Sequence, residues 1–79
     1  MKGTELRLSP DYFTPRDVLL LREVLAGEKY EIIARTYNLG LSTLKKRLLV
    51  FFSLLNETNK TELVNHYAGY RVQLEIESS

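Results

Sequence analysis

The sequence predicts an all-α domain of four helices, and three observations carry that expectation. Apolar residues recur at helical spacing in successive segments, two segments open on helix-start signatures, and the alternation that strands need is weak everywhere except in the last few residues. A chain of 79 residues and 9.2 kDa has room for one small domain. It has no cysteine, so neither disulfides nor thiolate metal sites can brace it, and a compact apolar core must do so instead.

Residues 1–12 have mixed polarity and contain Pro10, and they read as a leader or linker ahead of a packed domain over residues 13–77. The first helix starts at Thr14, a good N-cap. Pro15 suits the first helical position because its missing N–H would be unpaired there anyway, and Asp17 completes a capping box. Val18, Leu21, Val24 and Leu25 supply its apolar face, Phe13 can staple onto Val18, and Gly27 suits the position just past its end. A shorter second helix is expected over Glu28 to Thr36, with Ile32, Ile33 and Tyr37 as apolar contacts, followed by a tight turn around Asn38, Leu39 and Gly40. The third helix should run from about Leu41 to Leu55. Leu44, Leu48, Phe51 and Leu55 form its core stripe, and Ser42, Lys45, Lys46, Leu49 and Ser53 gather on the opposite side. Asn59 and Glu62 make a second capping box, and the fourth helix is expected to carry Leu63, Val64, Tyr67, Tyr70, Val72 and Leu74 to about Ile76.

The net charge of +1 hides an uneven distribution. Residues 1–40 sum to zero, residues 41–60 carry +3 through Lys45, Lys46, Arg47 and Lys60 against Glu57, and residues 61–79 carry −2. Positive charge is therefore concentrated on the third helix and at the start of the fourth. No apolar run reaches the roughly 20 residues of a membrane span and no signal peptide is visible, so a cytoplasmic protein is expected. No Gly-rich phosphate loop, nucleophile motif or paired-carboxylate site occurs, so neither an enzyme nor a cofactor is expected. His66, the single histidine, reads as a surface or interface residue without a carboxylate partner at ligand spacing, and no metal site is expected.

Thr14-Pro15-Arg16-Asp17, Leu21, Gly27, Ile33-Ala34, Thr43-Leu44-Lys45, Leu48, Leu55 and Lys60-Thr61-Glu62-Leu63-Val64 follow one another in a register that resembles the LuxR/GerE-type helix-turn-helix family, also the output domain of NarL/FixJ-like response regulators. The resemblance runs without a gap over 51 residues, Thr14 to Val64. It implies a tetrahelical domain in which the second and third helices form the helix-turn-helix, the third reads DNA and the fourth often dimerises. The residues agree on the central point, because a recognition helix needs one face to anchor it and a second, basic face to enter the major groove. Lys45 and Lys46 can donate to guanine edges or phosphates, and Ser42 and Thr43 can reach phosphates near the helix N-terminus. Lys60 matches a basic family position expected to touch the DNA backbone, and Arg47 replaces the usual histidine while keeping a donor.

Leu49 and Leu54 depart from the family pattern, standing where polar or basic residues are common. Leu49 either packs on a thymine methyl or, with Leu54, belongs to the core or to a protein interface. Leu63, Tyr67, Tyr70 and Leu74 form a stripe whose two readings are burial against the first helix and a homodimer interface. The expected function is therefore sequence-specific binding of double-stranded DNA by a homodimeric bacterial transcriptional regulator. The rival reading is a protein-interaction module that keeps the fold and docks another regulator or an RNA polymerase subunit through apolar surface on helix three or four.

Overall fold

Residues 4–75 are described by the structure, a computed structural model. Strand β1 spans Glu5–Leu8 and is followed by helices α1 (Pro15–Leu25), α2 (Tyr30–Thr36), α3 (Leu41–Leu54) and α4 (Lys60–Tyr67), and then by strand β2 (Arg71–Leu74). The expectation of an all-α domain is thus corrected: β1 and β2 form a two-stranded parallel sheet, with Leu6 opposite Val72 and Leu8 opposite Leu74. Residues expected as a leader contain β1, and residues expected to continue the fourth helix form β2. The expected extensions to Ile76 and residue 77 lie outside the described residues.

The reason for the first correction is a two-residue period. Leu6 and Leu8 face the core and are buried, while Glu5 and Arg7 face solvent. The second correction follows from the backbone after Tyr67. Ala68 caps α4 in an extended conformation (ψ 129°), and Gly69 sits at φ +81° with nothing within 4 Å of where a Cβ would be. A left-handed residue ends a right-handed helix, and glycine adopts that conformation without steric cost. Beyond it, Arg22 of α1 donates from Nε (3.0 Å) and Nη2 (2.9 Å) to the Val72 carbonyl, satisfying an outer-edge acceptor of β2 and pinning the strand to the helix.

The helices start largely where the residues dictate. Thr14 Oγ1 accepts from the Asp17 N–H (3.2 Å), and the Thr14 N–H donates to Asp17 Oδ2 (2.8 Å), so the first capping box is complete. At the start of α4 the expected second box is only half made: Asn59 Oδ1 accepts from the Glu62 N–H (2.9 Å), but the Glu62 side chain makes no reciprocal bond to the Asn59 N–H. Helix α2 begins at Tyr30, two residues later than the expected start at Glu28, and its cap Lys29 makes no side-chain bond. Three helix ends share one device, a left-handed residue just past the cap: Gly27 (φ 87°), Asn38 (φ 56°) and Asn56 (φ 60°). After each, a backbone N–H reaches five residues back, as Glu28 to Glu23 (3.1 Å), Leu39 to Ala34 (2.8 Å) and Glu57 to Phe52 (2.7 Å).

The core gathers Val18, Leu21 and Val24 of α1, Ile33 of α2, Leu44, Leu48 and Phe51 of α3, Leu63 of α4, and Leu8 and Val72 of the sheet. Each large apolar side chain so buried contributes about 1.5–3 kcal/mol relative to exposure. Phe51 packs on Phe13 with ring centroids 5.5 Å apart, which ties the last turn of α3 to the segment before α1. Leu55, expected in the α3 stripe, is half-buried at its C-cap.

Candidate nucleic-acid interface

Helix α3 is anchored on one side by Leu44, Leu48 and Phe51, which are 0–1% exposed. The connection from α2 is four residues, Tyr37 to Gly40, shaped by the left-handed Asn38 and by Leu39, which is half-buried against the core. Its opposite side carries Ser42, Lys45, Lys46, Leu49 and Ser53, all exposed, as the 100° spacing requires. No acidic residue occurs in its first turn, and Gly40 caps it without a side-chain hydrogen bond. The first-turn N–H groups of a 14-residue helix are thus left without a side-chain acceptor and add their partial positive charge to that of the lysines.

The predicted site residues do not all share that face. Thr43 lies beside a cleft of about 210 Å³ lined also by Thr14, Arg16, Asp17 and Arg47, between the start of α1 and the first turns of α3. Arg47 turns into this cleft rather than outward, donating from Nε to Asp17 Oδ1 (2.9 Å) and from Nη2 to Asp17 Oδ2 (2.8 Å). The Asp17 side chain is 2% exposed and Arg47 45%, so this is a fork-to-carboxylate pair at the edge of the core. Hydrogen bonding to Asp17 pushes the Arg47 guanidinium above its ordinary pKa; burial opposes the shift and the Asp17 charge adds to it. Arg47 therefore joins α3 to α1. Lys60 is engaged likewise: its Nζ sits 4.6 Å over the Tyr30 ring and 3.4 Å from the Glu28 carbonyl, bridging α4 to α2.

Arg16 was not among the predicted site residues, although it stands in the Thr-Pro-Arg-Asp signature. It is exposed, lines the cleft beside Thr43, and donates from Nη2 to the Tyr37 carbonyl at the end of α2. Its place in the first turn of α1, between the capping residues Thr14 and Asp17, was the only signal the sequence offered.

Of the predicted association stripe, Leu63 is fully buried in this chain's own core and Leu74 belongs to β2 rather than α4. Tyr67 and Tyr70 are half-buried and meet edge to face at 5.1 Å. His66 does have a carboxylate partner, contrary to expectation. Its Nδ1 lies 2.9 Å from both oxygens of Glu57, whose side chain is 5% exposed, and Glu62 one turn earlier brings a second carboxylate within 4.8 Å. The hydrogen bond to Glu57 and then its charge raise the His66 pKa above 6.5. The four-residue spacing of Glu62 and His66 was legible in the sequence; the approach of Glu57 across the α3–α4 turn was not.

Comparison with protein-family models, with curated proteins and with solved structures finds no match to this chain. Among the described residues, no helix is long and apolar enough to cross a membrane.

Proposed function

We propose that this chain is a sequence-specific double-stranded DNA-binding protein of the helix-turn-helix kind, a cytoplasmic transcriptional regulator that lays α3 in the major groove. The reading rests on a single arrangement: a helix anchored by Leu44, Leu48 and Phe51 after a four-residue turn, with exposed Ser42, Lys45 and Lys46 on its free side. The LuxR/GerE-like register of the sequence supports it. Lys45 and Lys46 read bases or clamp phosphates, while Ser42, Thr43 and the neighbouring Arg16 contact the backbone near the α3 N-terminus. Arg47 positions α3 through Asp17, and Lys60 reaches phosphate only by leaving Tyr30. A homodimer places two recognition helices about 34 Å apart, one turn of the duplex.

Selection from a random duplex pool, followed by fluorescence anisotropy on the recovered sequence, tests the proposal. With three or four phosphates neutralised per subunit, log K falls against log[salt] with a slope of about −5 to −7 for the dimer. Lys45→Ala combined with Lys46→Ala abolishes specific binding and leaves helicity unchanged. Undiminished binding by that double variant refutes the assignment of α3.

A second reading is favoured by the apolar exposure of the same helix. Leu49, Val50 and Leu54 are 64%, 48% and 41% exposed, unusual for a helix that meets only DNA and water. In this reading α3 docks a protein, either another regulator or a polymerase subunit. Amide shifts over residues 42–49 on adding duplex at low salt support DNA; their absence, with shifts at Leu49, Val50 and Leu54 on adding the partner, supports the alternative.

A further inference from the structure

We propose that β1 is a self-complementary edge through which two copies of this chain pair antiparallel, joining their sheets into one of four strands in the order β2–β1–β1–β2. Thr4 and Leu8 use their carbonyls toward β2, accepting from the N–H groups of Arg71 (2.9 Å) and Glu75 (2.8 Å). In a parallel ladder alternate residues face the partner strand, so Thr4, Leu6 and Leu8 face β2 while Glu5 and Arg7 direct N–H and C=O to the opposite edge. Those groups meet no partner among the described residues. The outer edge of β2 differs, because Arg22 already occupies the Val72 carbonyl there.

The register of a pairing follows from these directions. A two-fold axis at Leu6 sets Glu5 opposite Arg7 of the second copy and Arg7 opposite its Glu5. Both are pairs that exchange two hydrogen bonds, so the four free N–H groups find the four free carbonyls. Leu6 meets its own counterpart between them, at a close pair on the core side of the sheet.

The side chains agree with that register. Glu5 and Arg7 lie on the solvent face, already 3.2 Å apart within one strand. Antiparallel pairing places an opposite charge across from each of them, giving two cross-strand ion pairs. Parallel stacking in register would instead set Glu5 against Glu5 and Arg7 against Arg7, which repel. Alternating charge therefore selects the closed two-fold dimer over open-ended addition of strands. The union also extends a two-stranded sheet, the smallest and least stable kind, to four strands. None of this depends on DNA binding, and the assays below contain no DNA.

Sedimentation equilibrium of the full chain, from micromolar to millimolar concentration, tests the proposal with two charge variants. Glu5→Arg and Arg7→Glu each replace two attractive pairs by two repulsive ones, and each weakens self-association by about tenfold or more. An equimolar mixture of the two variants restores it, because a chain with two arginines then faces a chain with two glutamates. In hydrogen exchange, the Glu5 and Arg7 amides become protected as concentration rises, while the Leu6 and Leu8 amides are protected throughout. Both substitutions are on the solvent face, and circular dichroism checks that the fold is unchanged. A wild-type chain that stays monomeric, a dimer that both single variants leave intact, or a mixture that fails to recover association overturns the proposal.

Discussion

Arg47→Met separates the structural role of the basic segment from its proposed DNA role. Two hydrogen bonds of 2.8 and 2.9 Å end on a carboxylate that is 2% exposed, and the substitution leaves that carboxylate with only the Thr14 N–H. Breaking a fully buried pair from one side costs about 3–5 kcal/mol. Arg47 is 45% exposed, so water shares the pair and the expected cost falls to about 2 kcal/mol. In a domain of this size that lowers Tm by about 8–16 °C. Asp17→Asn leaves no orphaned charge and costs about 1 kcal/mol, because it weakens the capping box and frees Arg47 to water. The double variant should be more stable than Arg47→Met alone by about 1 kcal/mol, since removing both partners also removes the buried, unpaired carboxylate. Urea denaturation of the four proteins, at constant m, measures the cycle. An Arg47→Met cost below about 0.5 kcal/mol, or a double variant less stable than both singles, refutes the reasoning.

Two further outcomes follow from other parts of the fold. The His66 pKa is raised in the folded chain by Glu57, so its contribution is fully present below the unfolded value near 6.5 and is lost as pH rises through the raised value. Tm measured across that window should therefore fall more for the wild type than for His66→Gln; equal pH dependence in the two proteins removes the ion pair from the account. Gly69→Ala meets no atom within 4 Å, so its cost is conformational alone, about 1–2 kcal/mol by denaturation, and a neutral result would mean that φ +81° is not required there.

Helix starts were legible because capping is local chemistry: Thr14 with Asp17 and Asn59 with Glu62 act over three residues, whatever the rest of the chain does. The buried stripe of α3 was legible for a similar reason, since Leu44, Leu48 and Phe51 repeat within one helix. The strands were not, because each has only four residues and their pairing joins Leu6 to Val72 across nearly the whole chain. Val72 and Leu74 fit both a strand face and the continuation of a helical stripe, and only Gly69 marked the break. Of the candidate site, Lys45 and Lys46 were placed correctly on the free side of α3. Arg47 follows them in a run of like charge, and nothing local distinguishes a solvated cation from one that reaches Asp17, thirty residues away.

The parallel pairing of β1 and β2 also governs how the domain bears load. Tension drawn from the Glu5 end of β1 and the Leu74 end of β2 pulls two strands that point the same way, so they must slide past each other along their length. All the ladder bonds are then strained together rather than opened one after another, and Arg22 on Val72 must give way in the same event. A two-stranded sheet too short to stand alone thereby becomes a shear clamp that closes the helical core.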